Sequence, residues 1–342
     1  MTRSIRYFLT GSALVVFLGL STGLIAYYNG GLPIGPAKAN GDLNFVPADA
    51  TAVAFADVHA IMASDFRQKL RQVLPTGEEL ARFRDELGVD IERDIDTVTA
   101  AYMGGQSTPE SGVVIVRGRF NTGQIEAIAT QHGAVVEDYK GMRLLSMANG
   151  ETPGNMIETA THHAVATVAF LNAGALALGE ASAVKKAIDA NASGDDVRKN
   201  AEMMDMINDV TSTGNAWVVG RFDAMTSQAG LPAEIVSHLP PVNLFAASVH
   251  VNGGLSGMVR AEARDDKAAE QLRDVVRGAL AAGKLMTGQN PKMDSMLNSM
   301  QITGSGKTVG LSFAVPAELL ELLNGVAAAH QLGNGTGTTI HK

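Results

Sequence analysis

Trp217-Val218-Val219-Gly220-Arg221-Phe222-Asp223, set beside Thr51-Ala52-Val53-Ala54-Phe55-Ala56-Asp57-Val58, decides how the chain is read. Each stretch is a short run rich in apolar and β-branched or aromatic residues, which reads as a strand. Each is followed by a helix and then by further strands. The second stretch therefore reads as a second start, and the rest of the sequence is read outward from these two points.

After the first start, Phe66, Leu70, Val73 and Leu74 fall on one helical face until Pro75 stops the helix. Thr76-Gly77-Glu78-Glu79 caps the next helix. Residues 97–103 and 112–120 read as neighbouring strands, and Asn121-Thr122-Gly123-Gln124 caps a helix that stops at Gly133. Residues 135–147 read as a hairpin around Lys140-Gly141. Residues 163–170 and 175–178 are two more strands, and 183–191 is a helix. Between the halves, Asn200 opens a helix carrying Met203, Met206, Ile207 and Val210.

After the second start, residues 245–251 and 255–263 form a hairpin turning at Asn252-Gly253-Gly254. A helix from Asp265 is expected to turn Leu272, Val275, Val276, Ala279 and Leu280 inward. A hairpin over 300–315 follows, and Pro316 starts a closing helix. The order strand, helix, hairpin, helix, hairpin, helix thus runs twice. The expected fold is α+β: a tandem duplicated unit of antiparallel sheet with helices packed on one face, preceded by one N-terminal transmembrane helix. The divisions are 1–6 cytoplasmic, 7–28 membrane helix or signal segment, 29–44 linker, 45–192 first lobe, 193–330 second lobe and 331–342 disordered tail.

The N-terminal span rests on residues 7–28, which carry no charge. As a helix they extend roughly 33 Å, enough to cross the hydrocarbon core. Arg3 and Arg6 precede them, which places the N-terminus in the cytoplasm and the bulk of the chain outside, periplasmic or at the cell surface. The rival reading is a signal cleaved after Ala37-Lys38-Ala39, which would secrete the chain without residues 1–39. The apolar run is longer than a signal core of about 7–15 residues, and the Ala-x-Ala lies far beyond it. Gly19 and Gly23 form a small-residue face through which two membrane helices could pack.

Of 27 Lys and Arg, three lie in residues 1–40, leaving 24 against 35 acids, a net −11 beyond that point. Such a surface has no general attraction for phosphate backbones, so nucleic acid is not an expected partner. The chain has no cysteine, which removes disulfides, thiolate metal sites and cysteine nucleophiles.

Four strings could carry chemistry. Gly304-Ser305-Gly306-Lys307-Thr308 matches the end of a phosphate-binding loop, but position 301 holds Gln301 rather than glycine. The residues after it alternate as a strand, so the reading is a hairpin turn, placed in the repeat opposite Lys140-Gly141. His162-His163 sits at a strand start, where neighbours point to opposite faces and cannot readily share a metal. Asp90, Glu92, Asp94 and Asp96 lack the glycine and terminal glutamate of a calcium loop. Ser305 lacks the context of a nucleophile elbow. No catalytic residue, metal ligand or cofactor is assigned. Met203, Met204 and Met206, with Met293, Met296 and Met300, make two methionine-rich stretches. Of these, Met203, Met206, Met296 and Met300 are the candidates for lining a hydrophobic pocket, with ordinary core filling as the alternative.

Pro47-Ala48-Asp49-Ala50, Gly118-Arg119-Phe120 and Gly220-Arg221-Phe222, on this layout, resemble bacterial cell-envelope proteins with an N-terminal anchor and duplicated α+β units. The resemblance implies location and fold and brings no catalytic residues. The leading expectation is a non-enzymatic binding or scaffolding protein of the envelope, with the membrane and other envelope proteins as partners. The alternatives are a carrier or sensor of a hydrophobic ligand and an envelope hydrolase. The sequence leaves the oligomeric state open.

Overall fold

The computed structural model describes residues 42–64, 89–105, 108–147, 167–222, 240–252, 254–286 and 291–315. The protein is α+β, with few helices around a large antiparallel sheet. Its strands are β1 (Ala52–Asp57), β2 (Ile95–Gly105), β3 (Thr108–Gly118), β4 (Ala134–Tyr139), β5 (Met142–Met147), β6 (Thr167–Asn172) and β7 (Ala175–Gly179). They continue as β8 (Ala216–Arg221), β9 (Val242–Asn252), β10 (Gly254–Ala263), β11 (Gln301–Thr303) and β12 (Thr308–Val315). The helices are α1 (Val58–Met62), α2 (Ile91–Asp94), α3 (Thr122–Gln131), α4 (Ala181–Ser193), α5 (Ala201–Thr211), α6 (Asp266–Met286) and α7 (Pro291–Ser299).

Among the described residues twelve strands form one sheet, in the order β11-β12-β10-β9-β8-β1-β2-β3-β7-β6-β5-β4. The two strands that open the halves are neighbours at its centre, with Phe55 opposite Trp217 and Val53 opposite Val219. Outward from this joint the order is mirrored. β2, β3, β7 and β6 on one side answer to β9, β10, β12 and β11 on the other. Among the described residues the β4–β5 hairpin has no counterpart and forms one edge. The β11–β12 turn at Gly304 therefore answers to the β6–β7 turn, not to Lys140-Gly141 as the repeat reading expects. The extra hairpin displaces the count by two strands.

Local signals explain most elements. Asn121 and Asn200 cap α3 and α5 by accepting the N–H groups of Gln124 and Met203, both at 3.1 Å. Asp265 accepts from Ala268 N at 2.8 Å and opens α6. Lys140 and Gly141 both take positive φ, as a two-residue hairpin turn demands. Gly304 and Gly306 do the same in the β11–β12 turn, where Thr308 N–H donates to Ser305 O and Arg273 donates to Gly306 O and Thr308 O.

The helices do not all lie on one face. Phe55, Ala101, Ile115, Ala177, Trp217 and Ala246 point to the face covered by α4 and α5. The next residues along those strands point the other way. Val98, Val114, Val116 and Leu178 meet Ile125 of α3, and Val249, Val251 and Phe313 meet Met296 and Leu297 of α7. Ala263 and Val309 meet Ala268, Ala269 and Leu272 of α6. The apolar runs at 217–219 of β8 and 244–247 of β9 fit a sheet covered on both sides, whereas a one-faced sheet would alternate. α6 is rotated from its expected aspect, so Val275 and Ala279 face solvent. Among the described residues no helix is long and apolar enough to cross a membrane. Residues 7–28, with Gly19 and Gly23, lie outside them, as do His162, His163 and the helices expected near 64–88 and after Pro316.

Candidate functional site

Two places are held by side chains from several elements at once: the junction at residues 42–50 and the sheet edge at β4. The junction begins where the sequence reads as linker, and residues 42–44 prove to be core. Asp42 enters buried, one helical turn follows over Leu43–Phe45, and Leu43, Phe45 and Val46 are buried against the face of α4 and α5.

Four elements hold the junction. Arg117 Nε of β3 donates to Asp42 Oδ1, and Thr99 Oγ1 of β2 donates to Asp42 Oδ2 at 3.5 Å. Asn44 bonds Asn191, and Asp49 pairs with Lys186, both partners on α4. Val197 N–H donates to Val46 O at 2.8 Å, beside a bridge between Pro47 and Asp196. Asp196 is itself held by Arg198 at 2.6 Å.

Burial pushes the Asp42 carboxyl above its ordinary range, although the Arg117 guanidinium and the Thr99 hydroxyl pull it down. Arg198 does the opposite to Asp196, whose carboxyl its hydrogen bonds hold below the usual range. Asp57 and Thr97, opposite one another on β1 and β2, are buried on the same sheet face as Thr99. Trp217 stacks on Phe55 with ring centroids 5.6 Å apart. These groups make a clamp: they fix the path of residues 42–50 against the sheet and α4.

The edge at β4 is held by a second group. Tyr139 OH donates to the Asp189 carboxylate at 3.0 Å, Lys140 pairs with Asp189 at 2.5 Å, and Lys185 pairs with Glu137 at 2.8 Å. Lys185 and Lys140 also lie 5.2 and 5.7 Å from the centre of the Tyr139 ring. The Lys140 hydrogen bond lowers the Asp189 carboxyl, with help from Tyr139. The hairpin is thus tied to α4, while Val135 and Val136 stay 60% and 40% exposed.

The sequence-derived candidates fall elsewhere. Met203 and Met206 are on the buried side of α5 in the core, and Met296 of α7 with Met300 just after it packs against the opposite sheet face. The sheet separates the two pairs. Asp94 accepts the Asp90 N–H and pairs with Arg93, so it caps α2. Among the described residues no three His, Asp or Glu side chains are placed to hold a metal ion. The start of the junction was missed because residues 42–44 are docked by tertiary contact and are too few to show a period. The β4 edge becomes an edge only once strand order is known.

No family description matches the sequence, and no curated protein matches it. Among solved structures, crystal form I of TP0453 is similar over 83% of this chain and 96% of its own, with a TM-score of 0.46 and 10% identity. A likeness this loose transfers neither residues nor activity.

Proposed function

We propose that the protein is a non-enzymatic binding or scaffolding component of the cell envelope, held in the membrane by residues 7–28 with its mass outside the cytoplasm. The observation that carries this reading is the junction. The first described residues after the linker are fixed to two strands, one helix and the strap over 195–197. On an N-terminal anchor the linker ends at this segment, and its docking fixes the point of the fold from which the tether leaves.

Two further observations support it. The buried carboxylates Asp42 and Asp196 are engaged with Arg117 and Arg198 as clamps. The mirrored strand order about β1 and β8 also supports a tandem duplication, to which the first half adds the β4–β5 hairpin. A duplicated sheet offers a long rigid platform.

The test is native mass spectrometry on the full chain, extracted in gentle detergent from membranes washed with alkaline carbonate. The chain is expected in the washed membranes, alone or with added masses of polypeptide size. Loss to the wash would refute the anchor. A stoichiometric small apolar mass, released on denaturation, would replace the scaffold with the carrier reading.

A further inference from the structure

We infer that β4 is a docking edge for an extended segment of another polypeptide, one in which two basic residues precede two apolar ones. This deepens the binding reading above, but the docking geometry does not depend on the membrane anchor.

The backbone of β4 fixes what is on offer. Tyr139 and Met142 close the two-residue turn, so they exchange both ladder hydrogen bonds. Pairs then alternate along the ladder. Glu137 and Val135 bond inward to β5, while Ala134, Val136 and Asp138 turn their N–H and C=O groups outward. Among the described residues no strand lies beyond β4. The opposite edge, β11, is three residues long, which is a common way of blunting an edge. β4 is twice that length and is pinned to α4 through Tyr139 and Glu137. Val135 and Val136 are two of the four large hydrophobic side chains left exposed among the described residues.

The side chains choose the occupant. Reading outward from the turn, β4 presents Asp138 and Glu137, then Val136 and Val135. Glu137 keeps 45% of its side chain exposed beside Lys185. Every strand pairing in this sheet is antiparallel. An antiparallel arrival therefore meets the acids with its earlier residues and the valines with its later ones. Basic residues opposite acids and β-branched residues opposite valines are the favourable cross-strand pairs. A second copy of this chain fits poorly. Paired antiparallel about Val136, it sets Glu137 against Val135 and Asp138 against Ala134, with no base opposite either acid. The same acids discourage indiscriminate pairing with other edges.

The experiment uses the full chain in detergent and a fluorescein-labelled octapeptide, Thr-Lys-Arg-Val-Val-Thr-Ser-Gly, read by anisotropy. The control is the same peptide with Lys-Arg and Val-Val exchanged. The first peptide is expected to bind, and the exchanged one to bind about tenfold more weakly. Val136→Pro removes an outward N–H and no ladder bond, and proline is tolerated on such an edge. It is expected to weaken binding about tenfold with the Trp217 fluorescence unchanged. Should that variant misfold, Val135→Thr with Val136→Thr keeps the strand shape and should weaken binding several-fold. No binding by the natural chain, equal binding of both peptides, or full affinity in a folded Val136→Pro chain would each overturn the proposal. So would light scattering that shows a dimer dispersed by Val136→Pro, since the edge would then belong to a second copy. A chain lost from washed membranes but binding the peptide would sink the anchor and leave the docking edge standing.

Discussion

Replacing Leu43 with alanine and Asp42 with asparagine separates what holds the junction from what only lies within it. Leu43 is 1% exposed in the core beneath α4 and α5. Leu→Ala changes at such sites cost about 2.7–5 kcal/mol, through lost transfer energy and the cavity left behind. The helical turn can relax, because Phe45 N–H to Asp42 O and Val46 N–H to Leu43 O are its own two backbone bonds. That favours the lower end, about 3 kcal/mol. Asp42 is different. Breaking a buried ion pair is costly when it strands a buried charge, but the Arg117 side chain is 35% exposed and can rehydrate. Asn at position 42 keeps an acceptor and places no charge in the buried site, where burial raises the Asp42 carboxyl. The expected cost of Asp42→Asn is therefore within about 1 kcal/mol.

Urea unfolding followed by fluorescence suits the comparison, because the chain has one tryptophan and Trp217 sits in this core. With a urea slope of about 3 kcal/mol per molar, Leu43→Ala should lower the midpoint by about 1 M, and Asp42→Asn by a few tenths. The sign of the pH effect follows from the raised carboxyl. The fold binds the Asp42 proton more tightly than the unfolded chain does, so this group's contribution is greatest below 3.8 and is lost as pH rises through the folded value. Asp42→Asn should remove that decline. A midpoint more sensitive to Asp42→Asn than to Leu43→Ala would refute this account of the junction.

Asp196 should show the opposite dependence. Its carboxyl is held below 3.8 by Arg198, so its contribution is present above that value and is lost as pH falls through the folded one; Asp196→Asn should flatten the acid limb of the stability curve. Gly220→Val tests the central joint: a Cβ at position 220 would stand 2.8 Å from the Ala52 Cβ across the β1–β8 pairing. The expected cost is about 1–3 kcal/mol by urea titration, and a neutral effect would count against that pairing.

The legible parts of this fold are those specified locally. Asn121, Asn200 and Asp265 announce helix starts through the N–H groups they accept, and Lys140-Gly141 announces a hairpin through its φ angles. The echo between residues 51–58 and 217–223 also led to two strands that pair at the centre of the sheet. Four features depended on distant contacts. Residues 42–44, read as the end of the linker, carry one apolar side chain between two polar ones, and only their contacts with the sheet and α4 show them to be core. The apolar runs at 217–219 and 244–247 carried the sign of a sheet covered on both faces, but the one-faced reading passed over it. Val275 and Leu272 are equally apolar, and only the seat of α6 on Ala263 and Val309 turns one in and the other out. The exposed valines of β4 look like any strand until they are found at an edge.

The absence of cysteine allows a direct test of the claim that the fold stands outside the cytoplasm on an N-terminal anchor. Single cysteines are placed at Ser4→Cys, before the apolar segment, and at Asp195→Cys, where the side chain is 68% exposed. Spheroplasts are then treated with a membrane-impermeant maleimide. The account predicts labelling at position 195 in intact spheroplasts, and at position 4 only after lysis. Labelling at position 4 without lysis, or protection at position 195 until lysis, would contradict it.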